Sequence, residues 1–269
     1  MLYFISTPIG NLKDITLRAL ETLKSVDIIF CEDTRHSLKL LDFYDIKKPL
    51  KSYHKFNEKE RVADIISYLN EGKSVAVISD AGTPVISDPG NVLSTALRES
   101  GAQYSVVPGA TAFVPALILS GLDASTFTFV GFLPEKNKDK DALIKSVETH
   151  AQTLIFYSAP HDVNKDIKYL SEKLGDRKVS AVKEITKIHE TAYIGTLSTL
   201  EIEEPKGEFV IVVEGAKQTS KEFELSEKEH VELYIEKGYS KKDAIKQVAL
   251  ERGVSKNSLY KYTINNEQD

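Results

Sequence analysis

Tryptophan is missing from this chain, and cysteine and methionine occur once each. The lone thiol, Cys31, has no partner for an intramolecular disulfide, and neither a CxxC nor an HExxH spacing offers a metal site. A reducing compartment and no bound metal are the expectation. A GxGxxG fingerprint is also missing, and Gly72-Lys73-Ser74 fails as a phosphate-binding P-loop because Ser67 stands where its first glycine belongs. Nucleotide phosphates are therefore not indicated. No apolar run approaches the ~18 residues of a membrane span, and Met1-Leu-Tyr-Phe-Ile5 reads as a strand rather than a charged leader. We expect a cytoplasmic protein. Positive charge is in deficit too, with a formal net charge of −5, which argues against coating nucleic acid through bulk charge but leaves room for a local basic patch.

What the chain does have is a set of tightly shaped loops. Val75-Ala-Val-Ile78 reads as a buried strand and runs into Ser79-Asp-Ala-Gly-Thr-Pro-Val-Ile-Ser-Asp-Pro-Gly90, where glycines and prolines bend the backbone among free acids. Such a loop serves either a ligand or simply the capping of the next helix. Two more strand ends carry similar loops: Tyr3-Phe-Ile5 enters Ser6-Thr-Pro-Ile-Gly-Asn11, and Tyr104-Ser-Val-Val107 enters Pro108-Gly-Ala-Thr-Ala112. In open α/β sheets ligands bind beyond the carboxyl ends of strands, so three such loops together favour a ligand site.

With 269 residues, 41% of them hydrophobic, the chain buries roughly 75% of its unfolded surface, enough for two packed units. Strand-like runs at 2–6, 26–31, 74–79 and 103–107 alternate with helical segments near 15–25, 34–43, 57–71 and 91–100, which specifies an α/β domain with a parallel sheet over 1–118. Asp14 and the Asn57/Glu60 pair supply helix-start signals. Beyond a short linker near 118–126, apolar runs at 127–133, 153–157, 178–182, 192–195 and 209–213 surround two helices near 138–149 and 161–174. That pattern predicts a second, α+β domain over 119–216 with mixed strand pairing, and a cleft between the domains suits a small ligand. From 217 to 269 the strands cease. Ser240, Gly253 and Ser255 punctuate a pattern resembling a helix-turn-helix, locally basic through Lys237, Lys241, Lys242, Lys246, Arg252, Lys256 and Lys261.

Other strand ends carry polar groups. Cys31-Glu-Asp-Thr-Arg-His-Ser37 places two acids, a guanidinium and an imidazole in a short span; Asp33 or Thr34 suits a helix cap, while Arg35 offers the donor fork that pairs with phosphate or carboxylate. Ser52-Tyr-His-Lys-Phe-Asn-Glu58 mixes aromatic and basic residues, and Tyr53 and Phe56 suit base stacking and core packing equally. Leu154-Ile-Phe-Tyr-Ser-Ala-Pro-His161 and Lys183-Glu-Ile-Thr-Lys-Ile-His-Glu190 again set polar groups where apolar strands stop, and Lys206-Gly-Glu-Phe-Val-Ile-Val-Val-Glu-Gly215 reads as a central strand.

Thr7-Pro-Ile-Gly-Asn-Leu, Asp14-Ile-Thr-Leu-Arg-Ala-Leu, Glu32-Asp-Thr-Arg-His-Ser, the 79–90 loop, Pro108-Gly-Ala, Gly131-Phe-Leu-Pro, Phe156-Tyr-Ser-Ala-Pro-His and the 206–215 strand occur in that order. In this the chain resembles the tetrapyrrole methylase superfamily, and within it the branch that methylates the ribose 2′-oxygen of a cytidine in small-subunit (16S) ribosomal RNA. The resemblance implies two α/β-type domains with an S-adenosylmethionine cleft between them, a homodimer, and small-subunit ribosomal RNA as partner. It implies cofactor contacts from Pro8, Asp80, Gly82, Thr83, Ile86, Thr111, Ala112, Tyr157, Ser158 and Glu208. Ser158-Ala159 stands where relatives carry Glu-Ser, so Ser158 departs from the pattern. Porphyrin-modifying members carry Gly-Gly-Asp-Pro in the third-strand loop, whereas this chain has Ala81-Gly-Thr-Pro84; with the basic tail, that favours RNA over a small-molecule C-methylase. A non-enzymatic, ligand-sensing helix-turn-helix protein is the remaining alternative.

For the chemistry, we expect Arg35 to anchor an RNA phosphate or the reacting ribose and Glu184 or Lys187 to act nearest the hydroxyl, with Asp33 and His54 next in line. The tail is expected to add affinity for RNA, stability alone being its alternative role.

Overall fold

The computed structural model describes residues 1–217 and 225–262; parts of the expected tail, 218–224 and 263–269, lie outside the described residues. The chain divides into two compact units, Met1–Ala216 and Lys217–Asp269.

The first unit begins with a five-stranded, all-parallel sheet ordered β3-β2-β4-β1-β5, made from β1 (Leu2–Ile5), β2 (Ile28–Cys31), β3 (Leu50–Ser52), β4 (Val75–Ile78) and β5 (Tyr104–Val107). Side chains alternate across it with the period of two that a strand imposes. Ile5, Ile29, Cys31, Ala76, Ile78 and Val107 pack under α1 (Leu17–Ser25) and α2 (Thr34–Phe43), whereas Leu2, Phe4, Ile28, Phe30, Val75 and Val77 pack under α3 (Glu58–Asn70) and α4 (Asn91–Ser100). Thr16, whose hydroxyl accepts from the Ala19 amide at 3.1 Å, starts α1, and Asp33, accepting from the Arg35 amide at 2.8 Å, starts α2. The helices after β1 and β4 thus cover opposite faces, and these two neighbouring strands form the switch point at which an open α/β sheet leaves a crevice.

A second five-stranded sheet, ordered β6-β7-β10-β8-β9, pairs β6 (Phe127–Phe132) with β7 (Thr153–Ser158) in parallel. The central β10 (Phe209–Val213) runs antiparallel to β7 and β8 (Lys178–Lys183), and β9 (Thr191–Thr196) antiparallel to β8. One face is closed by α6 (Asn137–Val147) and α7 (Val163–Leu174). The other receives α5 (Phe113–Ser120), whose Ala116 and Leu117 are buried with Ile155, Val182, Ile185, Val210 and Val212, and Ile9 of the first unit's opening loop joins them.

The expected α/β class with mixed pairing in the second half is the architecture observed. Two elements went unread. The three-residue β3 has polar Lys51 and Ser52 and no fully buried position, and α5 is apolar on almost every side with Pro115 in its first turn, so neither carries a periodic signal. Residues 113–118, expected with the first sheet, pack on the second.

Taken alone, the second unit is a small helical cluster of α8 (Glu227–Glu236), α9 (Lys241–Arg252) and α10 (Lys256–Leu259) around Val231, Ala244, Ile245, Val248, Ala249 and Leu259. Ser226 closes a reciprocal capping box with Glu229, Ser240 caps α9, and Gly253 ends it at φ 64°, a left-handed position that suits glycine. Ser255 then caps α10, which gives the helix-turn-helix-like outline. Its charge is divided: Glu227, Glu229, Glu232 and Glu236 lie on α8 beside the single Lys228, while Lys241, Lys242, Lys246, Lys256 and Lys261 lie on α9 and beyond.

Candidate active site

All five parallel strands release their loops at one edge, and two of those loops lock together. The Thr7 amide donates to the Gly82 carbonyl at 2.8 Å, the Gly82 amide returns to the Thr7 carbonyl at 3.1 Å, and the Thr7 hydroxyl reaches the Ser79 carbonyl at 3.2 Å. The Thr83 hydroxyl ties in the third loop through the Ala110 carbonyl at 3.2 Å and meets Ser6 Oγ at 2.9 Å. Gly82 sits at φ 85°, where a Cβ would lie 3.3 Å from Ile9, so glycine lets the backbone come this close. Val85 at φ 77° and Ser87 at φ 65° hold the rest of the 79–90 loop in left-handed conformations that non-glycine residues adopt at a cost, the kind of strain that concentrates at functional sites.

Above these loops, against the second sheet, lies a cavity of about 380 Å³, within the size range of small-molecule sites. Its first wall is Ile9, Asp80 to Thr83, Ile86 to Asp88, Thr111 and Ala112; its second is Phe132, Tyr157 to Pro160, Glu184, Ile185, Lys187 and Glu208 to Val210. Nine of the ten residues that the resemblance assigned to the cofactor line it, namely Asp80, Gly82, Thr83, Ile86, Thr111, Ala112, Tyr157, Ser158 and Glu208. Pro8 is buried and is not on the wall; its neighbour Ile9 is. Ser158 lines the cavity with its hydroxyl already committed to Asp166 Oδ2 at 2.7 Å.

Of the residues expected to do chemistry, Glu184 and Lys187 are on the wall and Arg35 is not. The Lys187 ammonium is 2.8 Å from Glu184 Oε1 and 3.8 Å from Glu208 Oε2, and the same Glu184 oxygen accepts the Glu208 amide at 3.1 Å. Desolvation pushes the Glu184 carboxyl up, but the Lys187 hydrogen bond and charge and the Glu208 amide outweigh it and hold the group below its ordinary value. Glu184 is therefore a fixed anion at neutral pH and Lys187 the cation poised beside it. The loop carrying them reaches back to the first wall. Glu184 and Thr186 have φ of 52° and 67°, and the Thr186 hydroxyl donates to Asp14 Oδ2 across 172 residues of sequence. Arg35 instead forks onto Asp33, 2.9 Å from its Oδ2, and its side chain is 88% exposed.

The sequence reading passed over Asp88, Ile9 and Phe132. Asp88 sat in plain view within the 79–90 motif. Burial pushes its carboxyl up to about 7; Glu32 and Asp80 add to the rise, and a hydrogen bond from Ser79 opposes it. Glu32 is raised by burial and by Asp80, and the Asp33 amide donates to Asp80 Oδ1 at 3.1 Å, so carboxylates crowd one end of the cavity.

S-adenosylmethionine fits this donor set. A sulfonium and an ammonium suit a cavity carrying Asp80, Asp88, Glu184 and Glu208; Lys187 suits a carboxylate; Tyr157 and Phe132, whose rings meet at 5.4 Å, give the apolar edge an adenine needs. Among the described residues no group of His, Cys, Asp and Glu is arranged to hold a metal ion, and no helix is long and apolar enough to cross a membrane.

The family model for tetrapyrrole (corrin/porphyrin) methylases matches residues 1–201. The ribosomal RNA small subunit methyltransferase I of Bacillus subtilis (strain 168) is 42% identical over 270 residues, covering 97% of this chain and 92% of that protein. That of Thermotoga maritima is also 42% identical, covering 80% of this chain and 98% of its own length. Among solved structures, diphthine synthase superposes with a TM-score of 0.65 at 16% identity, covering 80% of this chain and 89% of that one. The uroporphyrin-III-C-methyltransferase of Thermus thermophilus gives 0.57 at 22%, covering 78% and 93%. At such identities these two structures speak for the fold.

Proposed function

The chain belongs to the tetrapyrrole methylase family, in the branch of ribosomal RNA small subunit methyltransferase I, and we propose that it transfers a methyl group from S-adenosylmethionine to the ribose 2′-oxygen of a cytidine in small-subunit ribosomal RNA. The observation that carries this reading is 42% identity over 97% of the chain and 92% of the Bacillus subtilis enzyme. The acid-rich cavity supports it from the side of the chemistry.

When bound, the cofactor supplies an electrophilic methyl on a sulfonium. The chain's own residues supply position and charge. Backbone held by the Thr7–Gly82 bridge forms one wall and the Tyr157 and Glu208 segments the other, so both strand systems are needed to fix the reactants, and positioning of this kind is worth several kcal/mol. Lys187, held 2.8 Å from Glu184, is the group that stabilises negative charge growing on the attacking oxygen. Asp88, with a carboxyl at about 7, is matched to receiving the hydroxyl proton near neutral pH. Arg35, outside the cavity wall and forked onto Asp33, offers a substrate phosphate the remaining donors of its exposed guanidinium.

In our reading the enzyme acts in the cytoplasm on the assembled small subunit, as a homodimer. The edge strand β5 exposes Tyr104 and Val106, and α5 exposes Val114 and Ile118, apolar surface that a second copy would cover. The helical unit adds affinity for RNA.

Two measurements test the reading: titration with S-adenosylmethionine, and transfer of labelled methyl to unmethylated small subunits with a porphyrinogen offered in parallel. Label in RNA supports it. Label in the porphyrinogen alone would make the protein a small-molecule methylase, and cofactor binding without any transfer would favour a ligand sensor.

A further inference from the structure

Tyr53 and Phe56 lie three residues apart with opposite fates. Tyr53 is 2% exposed, with its hydroxyl donating to Glu58 Oε1 at 2.7 Å, whereas Phe56 is 95% exposed. The turn that presents Phe56 is pinned. Asn57 Oδ1 accepts the His54 amide at 2.8 Å, the Asn57 amide returns to the His54 carbonyl at 2.9 Å, and Asn57 Nδ2 reaches the Ser52 carbonyl at 3.2 Å. A bare phenyl ring on a locked turn keeps its hydrophobic cost and has lost most of the entropy a partner would have to remove.

Its surroundings say what the partner is. Lys55 and Lys59 flank the ring and make no ion pair among the described residues. The nearby acids are engaged: Glu58 Oε1 also accepts the Gly90 amide at 2.8 Å, and Glu60 pairs with Arg61 at 3.3 Å. An exposed aromatic face between free ammonium groups complements a nucleobase with its phosphates, the combination by which single strands are held. The turn also stands on the right edge. It follows β3, two places along the sheet from β4, and Glu58 ties it to Gly90 at the end of the loop that lines the cavity. The Phe56 ring meets His54 at 6.1 Å, and the chain at Tyr53–His54 leaves β3 beside Cys31–Glu32, the Tyr53 amide donating to the Cys31 carbonyl at 2.8 Å. The Asp33 amide on Asp80 Oδ1 continues the row toward the cavity.

We propose that Phe56 is a stacking platform for a base neighbouring the methylated nucleotide, with Lys55 and Lys59 gripping the adjoining phosphates. The inference rests on the RNA reading above and deepens it. Phe56 does not line the cavity, so the ring acts on the neighbour rather than on the reacting ribose: it sets where the strand lies and takes no part in methyl transfer itself.

The test is steady-state methylation of unmethylated small subunits by the full-length protein and by Phe56→Ala, Phe56→Trp and Phe56→Leu, with melting temperature and S-adenosylmethionine affinity measured on each. Phe56→Ala should raise KM for the subunit by about 5- to 150-fold, the range for losing one stacked base, with kcat held. Phe56→Trp should restore KM and Phe56→Leu should not. Normal KM in Phe56→Ala overturns the proposal, and so does full rescue by leucine, which would mean that the ring packs against a ribosomal protein. A loss of melting temperature or cofactor affinity equal to the loss of activity overturns it too, because the residue would then be structural. If the unsubstituted protein methylates no RNA, the functional reading itself fails.

Discussion

The stem of Lys187 crosses the face of Gly10 so closely that a Cβ on Gly10 would lie 2.5 Å from Lys187 Cγ. This contact joins the loop after β1 to the loop after β8, and it aims the ammonium at Glu184. Gly10→Val should push the lysine off its seat and cut methyl transfer by up to about 10²-fold, the cost of a small misplacement at a reacting centre. Lys187→Ala should lower kcat by about the same amount or more. S-adenosylmethionine affinity and transfer rate, measured on both variants, check the account; unchanged rates in the two would remove Lys187 from the chemistry.

Gly82→Val places a branched side chain at φ 85° beside Ile9 and the Ala110 carbonyl. Left-handed backbone costs an L-residue about 1–2 kcal/mol, so the melting temperature should fall by roughly 2–8 °C while the chain stays folded. Cofactor binding should be lost, because the wall no longer closes. Calorimetric titration reads this directly, and normal affinity would make the loop purely structural.

Asp88 gives the site a pH signature. Its folded-state carboxyl, at about 7, lies above the ordinary carboxylate value of roughly 4, so between those limits the folded protein holds a proton that the unfolded chain releases. Stability is therefore present at pH 4 and falls as the pH rises to 7. Asp88→Asn cannot ionise and should flatten that decline, melting higher than its parent at pH 8. A cationic cofactor favours the ionised form, so S-adenosylmethionine should bind the parent more tightly at pH 8 than at pH 6 and the variant equally at both. Melting curves and titrations across this range decide it.

Among the described residues, those lining the cavity all fall between Ile9 and Val210, so deleting residues 217–269 should leave cofactor affinity as it is. Binding to the small subunit should weaken, and its salt dependence should drop by about 0.7 log–log units for each single-strand phosphate that the shortened protein no longer neutralises. A fall in melting temperature with unchanged RNA affinity and salt slope would assign the unit to stability instead.

Much of this was legible in the residues, for stated reasons. Val75–Ile78 and Phe209–Val213 are short, wholly apolar, rich in β-branched residues and bounded by turn residues, the pattern of buried central strands. The 79–90 motif announced its cavity through glycine, proline and acid at fixed offsets. The rest depends on contacts distant in sequence. That Ile9 rather than Pro8 faces the cavity follows from a bridge between Thr7 and Gly82, 75 residues apart. The positive φ of Glu184 and Thr186 has no glycine to signal it. Tyr53 and Phe56 were indistinguishable as letters because burial is decided by Glu58 and by the pinned turn.

The central claim is the position of the methyl group, and alkaline hydrolysis reads it most directly. RNA from small subunits labelled by the enzyme should yield the label in an alkali-resistant dinucleotide containing cytidine, because a 2′-O-methyl removes the hydroxyl that cleaves its own phosphodiester. Label released in ordinary mononucleotides would place the methyl on a base and contradict the account.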